Sequence, residues 1–138
     1  MTSGPMHYDP NRDPDPSGWL QLSEAQRLEA CERAHHPLPR RHPPIGNPRL
    51  HAALHVTVEH QLATDSPPEV RKTLSRLLRG GLSRHEALHA VGDVAAQALA
   101  KVVTTRAPFD AEAYAEALRA LDPKAIPRAA DNDEGNLV

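Results

Sequence analysis

The chain of 138 residues is long enough for one domain with its own core, and 39% hydrophobic residues, 3% aromatics and 14 prolines keep that core small. A net charge of −2 gives no electrostatic basis for binding nucleic acid or an anionic membrane, and no apolar run approaches the roughly 20 residues that span a bilayer. One cysteine, Cys31, excludes an intrachain disulfide and a cysteine-based zinc site, while nine histidines stand out.

Residues 1–18 hold Asp9-Pro10, Asp13-Pro14 and Asp15-Pro16 and read as an extended, disordered, proline-rich leader. They carry no signal-peptide apolar stretch, so a cytoplasmic setting is expected. Trp19 and Leu20 are the first residues expected to dock, opening a single helical metal-binding domain over residues 19–122. Ser23 and Gln26 have the capping-box spacing, so a helix is expected from about Glu24 to His35, stopped by Pro37. Residues 37–48 form an irregular proline-rich linker. Asn47-Pro48 is a strong helix start, and that helix should run to about Ala63. Residues 65–68 break it and cap a third helix, about Pro67 to Arg79, with Val70, Leu74, Leu77 and Leu78 on one stripe. Gly80-Gly81 ends it. Ser83 and Glu86 form a second capping box, opening a long helix from Arg84 to about Thr105. Asp110 caps a last helix to about Leu121, and residues 123–138 form a polar tail. No stretch alternates at period two. The fold class is therefore all-α, a bundle of about five helices with the second and fourth central.

Those two central helices carry the same pattern, His-x-Ala-Leu-His-x-x-x-acid. The first copy is His51-Ala-Ala-Leu-His55-Val-Thr-Val-Glu59 and the second His85-Glu-Ala-Leu-His89-Ala-Val-Gly-Asp93. At about 100° per residue, each copy places two imidazoles and a carboxylate on one face. In both helices the histidines fall inside the apolar arc, and Glu59 and Asp93 stand at its edge. Gly92, beside His89, leaves room for close approach. Buried imidazoles need partners, and one metal ion serves four nitrogens together. Imidazole suits zinc, iron, copper and nickel, and an i, i+4 pair chelates one ion. The expected ligands are His51, His55, His85 and His89, with Glu59 joining them, and His35 and Asp93 in support. The alternative reading is a set of hydrogen-bonded core histidines.

His85-Glu86-Ala-Leu-His89 is literally H-E-x-x-H, in which the glutamate would act on a zinc-bound water. Glu86 has a competing role as the cap partner of Ser83, and no strand is present to hold a peptide. Glu86 and Glu59 are the candidate proton-transfer residues. His60 is expected to point to solvent, and His7 and His42, in proline-rich segments, to lie on the surface. Cys31 reads as a small core residue.

The stretch from Asn47 to Asp93 resembles the bacterial family catalogued as domain of unknown function 1841. The matching text is Asn47-Pro-Arg-Leu-His51-Ala-Ala-Leu-His55-Val-Thr-Val-Glu59-His-Gln61, then Pro67-Pro68, then Gly81-Leu-Ser-Arg-His85-Glu-Ala-Leu-His89-Ala-Val-Gly92, with Trp19-Leu20 and the segment near His35 similar to its leading part. The resemblance implies a helical fold and a histidine-centred site, and no reaction. The first functional expectation is an enzyme with one zinc or iron ion, activating water or dioxygen on a small-molecule substrate. The second is a non-catalytic metal protein for storage, sensing or structure. The third is a metal-free helical interaction module. Neither nucleic acid nor membrane is expected as partner; a homodimer is compatible with a bundle this small.

Overall fold

A computed structural model describes residues 7–36, 38 and 42–126. Among them are six α-helices and no strand: α1 Pro16–Gln21, α2 Glu24–Ala34, α3 Pro48–Thr64, α4 Pro68–Arg79, α5 Arg84–Thr105 and α6 Ala111–Arg119. Five of these are the expected helices. Helix α3 packs against α1, α2, α4 and α5, and α5 against α3, α4 and α6, so the two repeat-bearing helices are central. No helix among the described residues is long and apolar enough to cross a membrane.

The helix starts follow local chemistry. Ser23 and Ser83 each accept the N–H three residues on, at 3.1 Å, while Gln26 and Glu86 accept the cap N–H at 2.8 Å. Asn47 accepts from the Leu50 N–H at 3.1 Å with Pro48 in the first position, and Asp110 accepts from the Ala113 N–H at 3.0 Å. At α4 the cap position falls to Pro67, whose side chain makes no capping bond. The expected cap in residues 65–68 is thus absent: Asp65 is used instead to end α3 in the left-handed conformation (φ 52°).

The expected leader needs a larger correction. Residues 1–6 lie outside the described residues, but within 7–18 Tyr8 and Pro10 are buried and Asp13 and Asp15 make hydrogen bonds, while most of the other residues stay exposed. Tyr8 is buried with its ring centroid 6.0 Å from that of Trp19, and Asp13 pairs with Arg84 at 2.9 Å. Asp15-Pro16 starts α1 by the same device as Asn47-Pro48, Asp15 accepting from the Gly18 N–H at 2.8 Å. The expected tail shortens too. Residues 123–125 form a 3-10 turn, Ile126 packs on the core, and 127–138 lie outside the described residues. The turn sits so close to the end of α4 that a Cβ on Gly80 would meet the Pro123 ring at 2.5 Å.

The apolar side chains form two cores. The larger joins Val58 and Leu62 of α3 to Val70, Leu74 and Leu77 of α4, Leu88 and Val91 of α5, and Tyr114 and Leu118 of α6. The smaller gathers Tyr8, Trp19, Ala30, Cys31 and Ala52. Helix α2 belongs to the smaller core and α5 to the larger; α3 belongs to both.

Candidate metal centre

Where α2, α3 and α5 converge, six histidines meet. His51 and His55 come from α3, and His85 and His89 from the first turns of α5. His35 is the residue that ends α2, and His42 lies in the segment leading to α3. His35, His51, His55, His85 and His89 can each offer a ring nitrogen such that all five atoms lie within 4.8 Å of one another. The Nε2 atoms of His35 and His85 are 3.1 Å apart, those of His51 and His89 3.1 Å, and those of His42 and His89 3.2 Å.

The ring arrangement has a definite geometry. Each imidazole packs against four of the others, with centroids 4.3 to 5.3 Å apart, and lies opposite the fifth. The three opposed pairs are His35 with His89, His42 with His55, and His51 with His85. These are the edges and diagonals of an octahedron. Imidazole nitrogens about 2.1 Å from a central ion would be about 3.0 Å apart along octahedral edges, against about 3.4 Å in a tetrahedron. Two of the three observed Nε2 separations, at 3.1 Å, lie nearer the octahedral edge, and the third, at 3.2 Å, lies midway.

Outer hydrogen bonds set the tautomers of three rings. His35 Nδ1 lies 2.9 Å from the Cys31 carbonyl and His42 Nδ1 2.7 Å from the Pro43 carbonyl. A carbonyl only accepts, so both Nδ1 atoms carry the hydrogen. His55 Nδ1 lies 3.1 Å from the Tyr8 hydroxyl, which spends its one hydrogen on Glu59 Oε2 at 2.5 Å; His55 Nδ1–H is therefore also a donor. All three rings turn an Nε2 lone pair inward, and that of His55 is buried with no hydrogen-bond partner. Converging lone pairs repel, and a cation removes the repulsion; the donor set suits one. Burial also favours the neutral rings. It is the main cause, with neighbouring histidines adding to it, that holds His51 down at about 4, His89 at about 3 and His85 at about 2, with His55 lower still. His35 and His42 are lowered as well, chiefly by burial.

Among the carboxylates, Glu59 is placed differently from its expectation as a ligand. Glu59 is 1% exposed and outside the imidazole cluster; Arg84 Nη1 and Nη2 donate to its two oxygens at 2.8 Å, and Tyr8 donates to Oε2. Arg84 gives its remaining N–H groups to Asp13 and the Pro10 carbonyl, so its five donors are all used. Burial opposes its charge, yet the hydrogen bonds and charge of Glu59 prevail and raise its pKa. Glu59 thus supports His55 through Tyr8 instead of reaching the cluster. Glu86 has its carboxylate on the Ser83 N–H at 2.8 Å, in the cap. Asp93 stays outside the cluster on the wall of a neighbouring cleft, its pKa raised by burial.

That cleft, about 310 Å³, lies between residues 42–47 and the facing sides of α3 and α5; its apolar lining includes Pro43, Ile45, Leu50, Leu54 and Leu88, and four of the imidazoles reach it. The expectation that His42 lies on the surface is corrected here. The segment that carries it folds back over the repeat, a turn no periodic pattern foretells. His60 is half-buried with Nδ1 enclosed, not solvated. His7 is exposed and Cys31 buried, as expected. Tyr8 and Arg84 had no sequence signal beyond sitting near other charged or aromatic residues.

A family model described as Domain of unknown function (DUF1841) matches residues 28–120. No curated protein and no solved structure matches the chain.

Proposed function

We propose, for a chain that belongs to the Domain of unknown function (DUF1841) family, that its biochemical role is to hold one divalent first-row transition ion in an octahedron of six neutral imidazoles. The observation that carries this is the ring arrangement, in which each of the six clustered histidines has four neighbours and one opposite. The buried, partnerless Nε2 of His55 supports it. Structural zinc takes four ligands almost without exception, so iron or nickel fits better than zinc. Six protein ligands leave no open position, which favours a non-catalytic holding role over the water- or dioxygen-activating enzyme while all six are bound. The proposal includes a cytoplasmic setting.

The test is metal analysis of protein expressed in medium containing iron, nickel and zinc, followed by reconstitution with cobalt(II). One ion per chain and the weak visible bands of six-coordinate cobalt are expected. Protein that retains no stoichiometric ion, or a cobalt form with the intense bands of a tetrahedral site, refutes the reading.

A further inference from the structure

Five of the six imidazoles sit on or at the end of a helix. His42 alone comes from an irregular segment, residues 42–47, between α2 and α3. Its outer hydrogen bond is to the carbonyl of its own neighbour, Pro43, at 2.7 Å. That bond sets the tautomer but ties the ring to nothing beyond the segment. By contrast His55 is anchored through Tyr8 to the buried Glu59–Arg84 pair, and His35 through the Cys31 carbonyl to α2. His42 is therefore the ligand that leaves with least disturbance to the rest.

Its departure would open a particular direction. His42 lies opposite His55, and its neighbours His51 and His89 line the cleft with it. The position it vacates thus faces the cleft. The cleft walls are largely apolar, built from Pro43, Ile45, Leu50, Leu54 and Leu88, with one carboxylate, Asp93. A divalent ion among six neutral rings keeps its full charge, because the nearest buried carboxylate, Glu59, is already neutralised by Arg84. Asp93 offsets part of that charge from the cleft wall, and a single negative charge on an entering ligand offsets the rest.

We propose that His42 is a displaceable ligand and that the cleft binds a small organic monoanion, one oxygen donor on a short apolar body, which takes the place of His42 on the metal. This rests on the six-imidazole reading above, and it supplies the open position that a saturated octahedron lacks.

Cobalt-loaded wild type, His42→Ala, His42→Gln and Leu50→Trp would be titrated with azide and with butyrate while the visible spectrum and the cobalt content are followed. Leu50 is 58% exposed on the cleft wall, so a larger ring there narrows the cleft without entering a core. Both anions should shift the wild-type bands saturably. The two His42 variants should keep one cobalt per chain and bind azide roughly tenfold or more tightly, since no tethered ring competes for the position. Leu50→Trp should weaken butyrate and leave azide unchanged. Equal anion affinity in wild type and both His42 variants, or no spectral change in any cobalt-loaded protein, overturns the proposal while leaving the metal centre standing. Loss of cobalt from every protein, wild type included, overturns the metal centre and this proposal with it.

Discussion

Replacing Glu59 by Gln keeps the shape of the side chain and removes its charge. In the wild type Glu59 and Arg84 are 1% and 7% exposed and share two hydrogen bonds of 2.8 Å. The substituted amide would turn its NH2 group toward one of the two Arg84 nitrogens, donor against donor. Arg84 would then depend on Asp13, which is 57% exposed and so screened by water. Removing one partner of a buried ion pair costs about 3–5 kcal/mol, and the remaining help from Asp13 points to the lower end, about 3 kcal/mol. In a domain of this size that is a fall in Tm of roughly 15 °C. Metal-free protein, with chelator present, should be compared by urea denaturation and by thermal scans. Glu59→Leu combined with Arg84→Met should recover much of the loss, because no unpaired charge is left inside. If Glu59→Gln lies within about 1 kcal/mol of wild type, well under the loss expected for a broken buried pair, the two residues are not as mutually dependent as described.

The metal-free fold should weaken in acid. His51, His89 and His85 are held at about 4, 3 and 2, below the roughly 6.5 of an unfolded histidine, so unfolding takes up protons below that pH. Their stabilising contribution is present above about pH 6.5 and is lost as pH falls, by up to about 4 kcal/mol for the three at about pH 5.5. A urea midpoint unchanged between about pH 7.5 and 5.5 would contradict this. Gly80→Ala should destabilise by about 1–2 kcal/mol, because its Cβ meets the Pro123 ring at 2.5 Å. The same change at an unobstructed helical position would stabilise, so the sign of the shift in urea midpoint decides. Glu86→Ala should lower stability by about 1 kcal/mol through the lost cap and leave metal stoichiometry unchanged; loss of the metal at unchanged stability would return Glu86 to the site.

The helices and their caps were legible because their signals are local. Ser23 with Gln26 and Ser83 with Glu86 need only three residues to declare themselves, and Asn47-Pro48 only two. The four repeat histidines were legible because helical phase alone turns them inward. His42 was not, since its place depends on how residues 42–47 lie against the repeat, and prolines mark irregularity without giving its direction. By angle alone Glu59 is an edge residue. Its burial comes from Arg84, 25 positions away, and from Tyr8 in a stretch that reads as leader, and no periodicity links such partners. The expected set of four repeat histidines with Glu59 gave way to six converging imidazoles once tertiary structure brought in the end of α2 and the segment before α3.

Two separate cores share α3, and the imidazoles draw on both: His35 follows the helix of the Trp19 core, His85 and His89 belong to that of the Leu74 core. On the proposed reading, an ion gripping all three helices would be a cross-link in a chain whose lone cysteine can make none. Cooperativity of unfolding would then become a property of metal content. With chelator, fluorescence of Trp19, the single tryptophan, should change at lower denaturant than the far-ultraviolet signal of the longer helices, because its half of the molecule can come away first. With the ion bound, the two curves should coincide.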